Sequence, residues 1–255
     1  MNTYNRIKQC FSTGKAQIVG FVTVGAPDLA SSEEYIYQLI ESGVNIVELG
    51  VAFSDPIADG PVIQEAGNLA IANGVNFEDV TRLAGRIRKR YPAVGIVIFS
   101  YFNILLNYGL ERLPQLDIDG ILAVDLPFEE REELSCHLRG SGIEIIPLIS
   151  PVTTAERAKK IVADCGGFVY YIMVRGITGT RSALPEDVTL KLDELRQLTS
   201  LPIAGGFGVS TPLMARQVTE HADGVVIGSA LVKFALRREF AKGVELIKSI
   251  RQAIN

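Results

Sequence analysis

The sequence is poor in cysteine and histidine, and the few it has are scattered. Cys10, Cys136 and Cys165 form no CxxC pair, and His137 and His221 lie far apart in the chain. Structural zinc sites usually take such residues in closely spaced pairs. Cys136 and His137 are adjacent, but neighbouring side chains leave a helix in different directions. The sequence therefore gives little support to a zinc site, and we expect no bound metal.

Long basic runs and long apolar runs are also missing. The formal net charge is −4, and the one dense basic segment, residues 86–90, has the composition of a solvated helix end. Nucleic acid is therefore not an expected partner. No stretch approaches the ~18 apolar residues of a membrane span, and the first residues lack the apolar core of a signal peptide. We expect a soluble cytoplasmic protein that does not bind membranes.

What the sequence does contain is a regular alternation of two kinds of segment. Its 255 residues, 47% of them hydrophobic, suffice for one large core, although the length alone also permits two small domains. Short apolar runs rich in β-branched residues recur, and they are apolar on both faces, as the strands of a covered parallel sheet are. The predicted strands are 18–23, 45–49, 95–99, 120–124, 144–148, 168–172, 202–204 and 224–227.

Amphipathic segments between these strands predict helices. They are 32–43, 77–90, 129–139, 154–164 and 185–199, with two extra helices at 2–12, where one could plug a barrel floor, and at 61–72. Residues 31–34 and 211–212 resemble helix starts. Eight strand–helix units without an obvious edge strand favour an α/β fold, a closed (β/α)₈ TIM barrel formed by residues 1–255 as a single domain. A doubly wound open sheet is the alternative.

Two of the loops that follow the strands are rich in glycine, and such loops build the binding site of a barrel. Residues 204–210 read AGGFGVS and residues 226–230 read VIGSA. Glycine lets the backbone approach an anion, and a helix beginning at Ser229 would point its free N–H groups at the same place. We therefore predict a small phosphate ester here, although the glycines could serve tight turns alone. The loop 174–180 could close over such a ligand as a lid or be an ordinary exposed loop.

Glu48 and Asp59 are the candidate catalytic carboxylates. Glu48 stands among apolar residues at the carboxyl end of the second strand, where loss of water raises a carboxyl pKa and suits proton transfer near neutral pH. Asp59 ends a loop that can return it to the barrel mouth. The residues alone leave another interpretation open, because Glu48 could be a solvated strand-end charge and Asp55 and Asp59 are common turn formers.

Residues 47–64 (VELGVAFSDPIADGPVIQ) closely resemble the signature of the α subunit of tryptophan synthase. The resemblance continues, in family order, at 21–27 (FVTVGAP), 125–127 (DLP), 176–179 (GITG), 206–210 (GFGVS) and 228–229 (GS). It extends over nearly the whole chain. The family is a (β/α)₈ barrel that cleaves indole-3-glycerol phosphate by a retro-aldol step to indole and glyceraldehyde 3-phosphate. The resemblance implies this lyase reaction of tryptophan biosynthesis here.

The resemblance also implies a role for individual residues. Glu48 matches the acid–base that protonates indole C3 and takes the proton of the glycerol hydroxyl. Asp59 matches the carboxylate that holds the indole N–H as positive charge develops. Tyr171 matches the tyrosine beside the glutamate. The phosphate cradle is implied at Gly179, Gly208, Gly228 and Ser229, the indole pocket at Phe21, Tyr101, Leu122, Ile149 and Phe207, and the lid at Arg175, Gly176 and Thr178. Each of the pocket residues could instead belong to the barrel core.

A partner is implied as well. The β subunit of the family carries pyridoxal phosphate and joins indole to serine, whereas the α subunit needs no cofactor. We therefore expect no cofactor in this chain and an αββα heterotetramer with β. Asp55, Pro127 and the lid are the parts that the resemblance places against β.

Three positions depart from the family pattern. Ala52 replaces a usual proline. Without the proline ring the backbone is freer, which costs the ordered form of the loop about 0.4–1 kcal/mol. Ile104 stands where many members have proline, and the lid is one residue shorter before Gly176 than the usual pattern, with Val174 where serine is common. A catalytically weak subunit that mainly binds and activates β is therefore an alternative to the active lyase. A sugar-phosphate isomerase would explain the phosphate loops but not residues 48–61.

Overall fold

The computed structural model describes residues 5–173, 186–206 and 208–255. Its strands are β1 (Gln17–Thr23), β2 (Ile46–Gly50), β3 (Gly95–Ser100), β4 (Gly120–Ala123), β5 (Glu144–Ile145), β6 (Leu148–Ile149), β7 (Val169–Ile172), β8 (Ile203–Gly206) and β9 (Gly224–Ile227). They are hydrogen-bonded in the order β5-β4-β3-β2-β1-β9-β8-β7-β6. Every pair is parallel.

β5 and β6 are two halves of one barrel strand. β5 pairs with β4, and β6 pairs with β7. Between them the Ile146 amide donates to the Ile121 carbonyl at 2.9 Å, and the Pro147 carbonyl accepts from the Tyr170 amide at 2.9 Å. Hydrogen bonding therefore passes across this segment without an edge. The sheet closes into the predicted α/β barrel of eight strands, and the doubly wound open sheet is wrong.

Apart from the first, the helices of the described residues lie outside the strands. They are α1 (Arg6–Phe11), α2 (Leu29–Glu41), α3 (Pro61–Ala72), α4 (Phe77–Arg90), α5 (Phe102–Tyr108), α6 (Glu132–Leu138), α7 (Ala155–Val162), α8 (Glu186–Leu198), α9 (Pro212–Thr219), α10 (Ser229–Leu236) and α11 (Phe240–Ile254). Thr211 caps α9 as predicted. The helix start predicted at 31–34 is wrong, because Asp28 accepts from the Ser31 amide at 2.8 Å and α2 begins directly after that cap.

α1 plugs the floor of the barrel, as its position before the first strand predicts. Ile7 is fully buried among inward-facing side chains that include Val97. Two glycines make room for it: a Cβ atom on Gly95 would lie 3.1 Å from Ile7, and one on Gly120 would lie 3.3 Å from it. The barrel is thus filled from below, and a ligand can enter only at the carboxyl ends of the strands.

The basic segment 86–90 is only partly a solvated helix end. Arg88 is 6% exposed, and its guanidinium donates to the Asp119 carboxylate at 2.5 Å. Asp119 also accepts from the Ile96 amide at 2.9 Å and from the Arg6 amide at 3.1 Å. This buried cluster joins α4, β3 and α1 at the floor. The sequence shows the charge of Arg88 but not that its side chain turns inward.

Candidate active site

Glu48 points into the barrel. In the parallel register it pairs with Phe21 on β1 and with Val97 on β3. Paired residues of neighbouring strands lie on the same face of a sheet, and Val97 and Ile46 both belong to the inward-facing core. The sequence could not reveal this direction, because every residue of β2 is buried and neither face of the strand is solvated.

The carboxyl group of Glu48 is fully buried, with an exposure of 0%. Neither of its oxygens has a hydrogen-bond partner among the described residues. Burial raises the pKa of Glu48 to about 8, because the charged form loses its hydration. Near neutral pH the side chain is therefore largely a neutral acid, close to the point at which it can both give and take a proton.

Tyr170, not Tyr171, is the tyrosine beside Glu48. Tyr170 packs in the inward-facing core, and burial together with the charge of Glu48 raises its pKa well above the usual value. Tyr171 packs in the outer core, between the strands and the helices. The assignment of Tyr171 is wrong by one residue, since successive residues of a strand face opposite sides. Alignment of the family motif at Tyr170 in place of Tyr171 puts one more residue before Gly176. The lid segment then has the usual number of residues, and the expected shortening by one residue disappears.

The same offset affects Ile149. Leu148 pairs with Tyr170 and packs against the inward-facing core, whereas Ile149 pairs with Tyr171 and lies in the outer core. The assignment of Ile149 to the indole pocket is therefore wrong, and Leu148 is the inward residue of this strand. Leu122 does lie on the inner face, fully buried and paired with Phe99.

A narrow cavity lies at the carboxyl ends of β1, β2 and β3, with aromatic walls. The rings of Phe21 and Phe99 meet edge-on at 5.2 Å between centroids, and those of Phe53 and Tyr101 lie 4.8 Å apart. The cavity contains about 10 Å³ of free space, which is room for about one water molecule. The space between these aromatic walls is therefore narrow.

Glycines bring the walls of the mouth close together. A Cβ atom on Gly50 would lie 2.5 Å from the Phe21 ring, so the ring occupies its place only because that side chain is absent. Gly228 adjoins the other side, where its Cβ would lie 3.5 Å from that of Phe21. α10 begins at Ser229, and the first amides of a helix have no acceptor within it. An anion at this helix start would therefore lie next to the Phe21 wall.

Gly208 follows β8 at the same end of the barrel and is exposed. Its φ of 101° lies in the region that favours glycine, so the chain can turn here without strain. Gly179, Phe207 and the lid residues Arg175, Gly176 and Thr178 lie outside the described residues. Of the predicted cradle, Gly208, Gly228 and Ser229 lie within the described residues.

Asp59 lies at the cavity rim and is hydrogen-bonded to Tyr101. The Tyr101 hydroxyl accepts from the Ala58 amide at 3.0 Å and donates to the Asp59 carboxylate. Partial burial raises the pKa of Asp59, and the bond from Tyr101 opposes this. Burial raises the pKa of Tyr101 to about 12, so its hydroxyl stays a donor. Gln64 Nε2 donates to the Asp59 carbonyl at 2.8 Å and holds the backbone of the same residue.

The departures from the family pattern leave both carboxylates in place. Ala52 lines the cavity opposite Gly67, where an added Cβ would lie 4.0 Å from it. The Ile104 amide donates to the Tyr101 carbonyl at 3.1 Å, a bond that proline could not make. Asp55 and Pro127 are both exposed.

Thr23 and Phe99 are among the cavity residues that were not predicted from the sequence. Phe99 pairs with Gly50, and Thr23 pairs with the same residue from the other side. Side chains along a strand face alternate sides of the sheet. Once Glu48 is known to face inward, Val97 and Phe21 beside it also face inward, and so do Phe99 and Thr23 two residues further along.

The described ranges contain no group of histidine, cysteine, aspartate or glutamate residues that could hold a metal ion. In the same part of the chain, no helix is both long and apolar enough to cross a membrane.

Comparison with known proteins places the whole chain in one family. The family model described as tryptophan synthase alpha chain matches residues 7–252. A tryptophan synthase alpha chain from Geobacter sp. (strain M21) is 41% identical over 241 residues, covering 93% of this chain and 89% of the relative. One from Coxiella burnetii (strain CbuK_Q154) is 44% identical over 232 residues, 90% of each chain.

Solved structures agree with these relatives. A crystal structure of the tryptophan synthase alpha chain from Legionella pneumophila has a TM-score of 0.87 at 31% identity, covering 98% of this chain and 97% of that one. A structure from Aquifex aeolicus VF5 has a TM-score of 0.90 at 34% identity, covering 99% and 100%. Sequence and structure match along almost the full length of both partners, and we conclude that the chain belongs to the tryptophan synthase alpha chain family.

Proposed function

We propose that this chain cleaves indole-3-glycerol phosphate to indole and glyceraldehyde 3-phosphate, the carbon–carbon lyase step of the α subunit in tryptophan biosynthesis. One observation carries the proposal: the buried carboxyl of Glu48 faces the barrel interior at the mouth where Asp59 and the start of α10 also lie. Glu48 lies one inward-facing position below Gly50, which lines the cavity together with Asp59, and Gly228 at the start of α10 adjoins Phe21 of the same cavity.

Glu48 performs both proton transfers. As a neutral acid it gives its proton to indole C3, which leaves positive charge on the ring nitrogen. The resulting carboxylate takes the proton of the hydroxyl on the carbon bonded to C3. The bond between that carbon and the ring then breaks, its electrons neutralise the ring, and an aldehyde forms. A pKa of about 8 suits a group that must act first as acid and then as base.

Asp59 stabilises the positive charge that develops on the ring. Its carboxylate is partly buried, so its attraction for the indole N–H is less screened than it would be in water. Tyr101 orients this carboxylate through its hydroxyl. Because the carboxylate is in position before the reaction begins, no group has to reorient as the positive charge develops, and this is the main advantage of such a site.

The remaining residues bind the two ends of the substrate. Phe21, Phe99 and Leu148 form apolar walls for the indole ring, with Tyr170 beside Glu48. Backbone amides at Gly208, Gly228 and Ser229 bind the phosphate, and the start of α10 adds its dipole. Gly179 and the lid complete the enclosure in this proposal.

The partner of the chain is the tryptophan synthase β subunit, which holds pyridoxal phosphate, while this chain itself needs no cofactor. We infer an αββα assembly in the cytoplasm, with residues 1–255 acting as one domain. The loop between the two carboxylates supports docking near the active site, because Ile57 is 86% exposed there and Asp55 is exposed beside it. Pro127 would add to the same contact.

The narrow cavity favours a second candidate, a subunit that activates β but cleaves weakly by itself. The rings of Phe53 and Tyr101 lie 4.8 Å apart at the narrow cavity, and Ala52 frees the loop that carries Phe53. In this candidate the cavity stays narrow even when β docks on this loop. The two candidates differ in whether the chain with β releases indole.

Indole release from indole-3-glycerol phosphate, measured with and without purified β, tests the proposal. We expect release that β accelerates, that Glu48→Gln abolishes and that Asp59→Asn strongly reduces. Glu245→Gln, an exposed glutamate on α11, is the matched control and should retain full activity. No release from the wild type even with β would leave the activator as the function, and retained turnover in Asp59→Asn would refute the role of Asp59.

A further inference from the structure

Thr23 ends β1 with a buried hydroxyl that lines the cavity. The residue is 3% exposed, and within the described part of the chain its Oγ1 has no hydrogen-bond partner. Buried hydroxyls in native proteins are nearly always paired, because leaving one unpaired costs free energy. An unpaired hydroxyl that faces a ligand cavity therefore points to a partner on the ligand.

The register places Thr23 above Glu48. Thr23 pairs with Gly50, one inward-facing position closer to the mouth than the pair of Phe21 with Glu48. Gly50 has no side chain, so nothing on the neighbouring strand at this level offers Thr23 a polar side-chain partner. The hydroxyl is thus directed to the space that a ligand above Glu48 would occupy.

The strand order places Thr23 between the two ends of the proposed ligand. β1 lies between β9 and β2 in the sheet. The residues after β9, Gly228 and Ser229, form the anion site, and the loop after β2 carries Asp59. A ligand that reaches from one to the other passes the end of β1.

We propose that the Thr23 hydroxyl binds a hydroxyl group on the short chain that joins the aromatic ring of the substrate to its phosphate. This inference rests on the proposed function and adds a specificity-determining contact to it. Asp59 takes the ring nitrogen and α10 takes the phosphate, so the hydroxyls between them need their own partner in a largely apolar cavity. A threonine hydroxyl can donate or accept, and it therefore suits an alcohol.

The contact makes the site prefer a hydroxylated chain over a plain alkyl chain. Thr23→Val keeps the shape of the side chain and removes the hydroxyl, whereas Thr23→Ser keeps the hydroxyl. A loss of packing would affect both kinds of ligand, but loss of the hydrogen bond affects only the hydroxylated one. The ratio of the two affinities therefore reports the contact itself.

Calorimetric titration with two ligands tests the inference. One is indole-3-glycerol phosphate, bound in a Glu48→Gln background so that it is not consumed. The other is indole with an unsubstituted propyl phosphate chain, bound in the same background. We expect Thr23→Val to weaken the first ligand about fivefold, the effect of one ordinary neutral hydrogen bond, and to leave the second within about twofold. Thr23→Ser should restore the wild-type ratio.

Thr219→Val is the matched control, because its hydroxyl donates to the Ala215 carbonyl at 3.1 Å within α9. Equal weakening of both ligands by Thr23→Val, or no change in either, would overturn the contact. If the Glu48→Gln parent binds neither ligand, the proposed function itself fails and this inference fails with it. That outcome is distinct, because a failure confined to Thr23 leaves binding to the parent intact.

Discussion

The hydroxyl of Tyr101 donates to the Asp59 carboxylate while it accepts from the Ala58 amide at 3.0 Å. Tyr101 follows β3 directly, and Asp59 ends the loop that follows β2. One hydroxyl thus connects a rigid strand end to a loop without secondary structure. This hydrogen bond orients the carboxylate. It also lowers the pKa of Asp59 and so opposes the increase that burial causes.

Removal of this hydroxyl should change the pH dependence of catalysis. Tyr101→Phe takes away a donor that favours the charged form, so the pKa of Asp59 rises further. In the proposed mechanism Asp59 must be charged to hold the indole N–H, so the acid limb of the kcat/KM profile should move to higher pH. Tyr91→Phe, which removes a hydroxyl bonded to Glu41 at 2.5 Å on the outer surface, should leave the profile unchanged. An unshifted acid limb in Tyr101→Phe would contradict the assignment.

The buried carboxyl of Glu48 should make stability fall as pH rises. Its pKa is about 8 in the folded protein and 4.5 in its ordinary state, so between these values the folded protein keeps a proton that the unfolded chain loses. Stability from this group is complete below the lower value and is lost as pH rises toward the upper one. Glu48→Gln removes the dependence and should be more stable than the wild type by a few kcal/mol, as an order of magnitude, above about pH 8.

Chemical denaturation at about pH 5 and about pH 8 measures this difference. The advantage of Glu48→Gln over the wild type should be larger at the higher pH. Glu245→Gln should show the same stability relative to the wild type at both values, because its side chain is exposed. An advantage of Glu48→Gln that does not change with pH would show that Glu48 is not protonated by burial.

The two adjacent tyrosines of β7 should respond oppositely to loss of their hydroxyls. Tyr170 faces Glu48, so Tyr170→Phe should lower kcat for indole release and shift its pH profile. Tyr171 packs in the outer core, so Tyr171→Phe should change stability but leave kcat within about twofold. Steady-state kinetics on both variants decides between the two residues, and a kcat effect confined to Tyr171→Phe would restore the original assignment.

The basic segment of α4 should contain one structural arginine. Arg88→Ala leaves Asp119 buried without its charged partner and should cost about 3–5 kcal/mol in the free energy of unfolding. Arg86→Ala removes a pair with Glu33 in which the arginine is 45% exposed and should cost about 0–1 kcal/mol. Urea denaturation compares the two variants, and equal losses would show that the segment is uniformly solvated.

Gly228 should matter for phosphate and little for the fold. Its φ is −118°, and an added Cβ would meet Phe21 at an ordinary 3.5 Å, so Gly228→Ala should change stability by less than about 1 kcal/mol. The methyl group would stand where an anion approaches the start of α10, so the variant should raise KM and weaken inhibition by inorganic phosphate. Unchanged inhibition would place the phosphate elsewhere.

The sequence by itself determined the alternation of strands and helices, and it predicted the chemistry at the barrel mouth. Strands of a parallel sheet covered on both faces are continuous apolar runs, so their alternation with helices was visible, and the bounds of α3 and α4 were predicted to the residue. The motif that contains Glu48 and Asp59 assigned both residues to one site, because a family motif can be recognised from the order of residues in the chain alone. Glycine-rich loops predicted an anion site, because glycine lets the backbone approach an anion closely.

Only the tertiary structure decided which way each strand residue points. In a strand that is apolar on both faces, the sequence carries no signal of direction, and a shift of one residue exchanges the inside for the outside. That is why Tyr171 and Ile149 were assigned in place of Tyr170 and Leu148, and why Thr23 was missed. Burial of Arg88 and Glu48 also depends on neighbours that are distant in the chain, and charge alone does not reveal them.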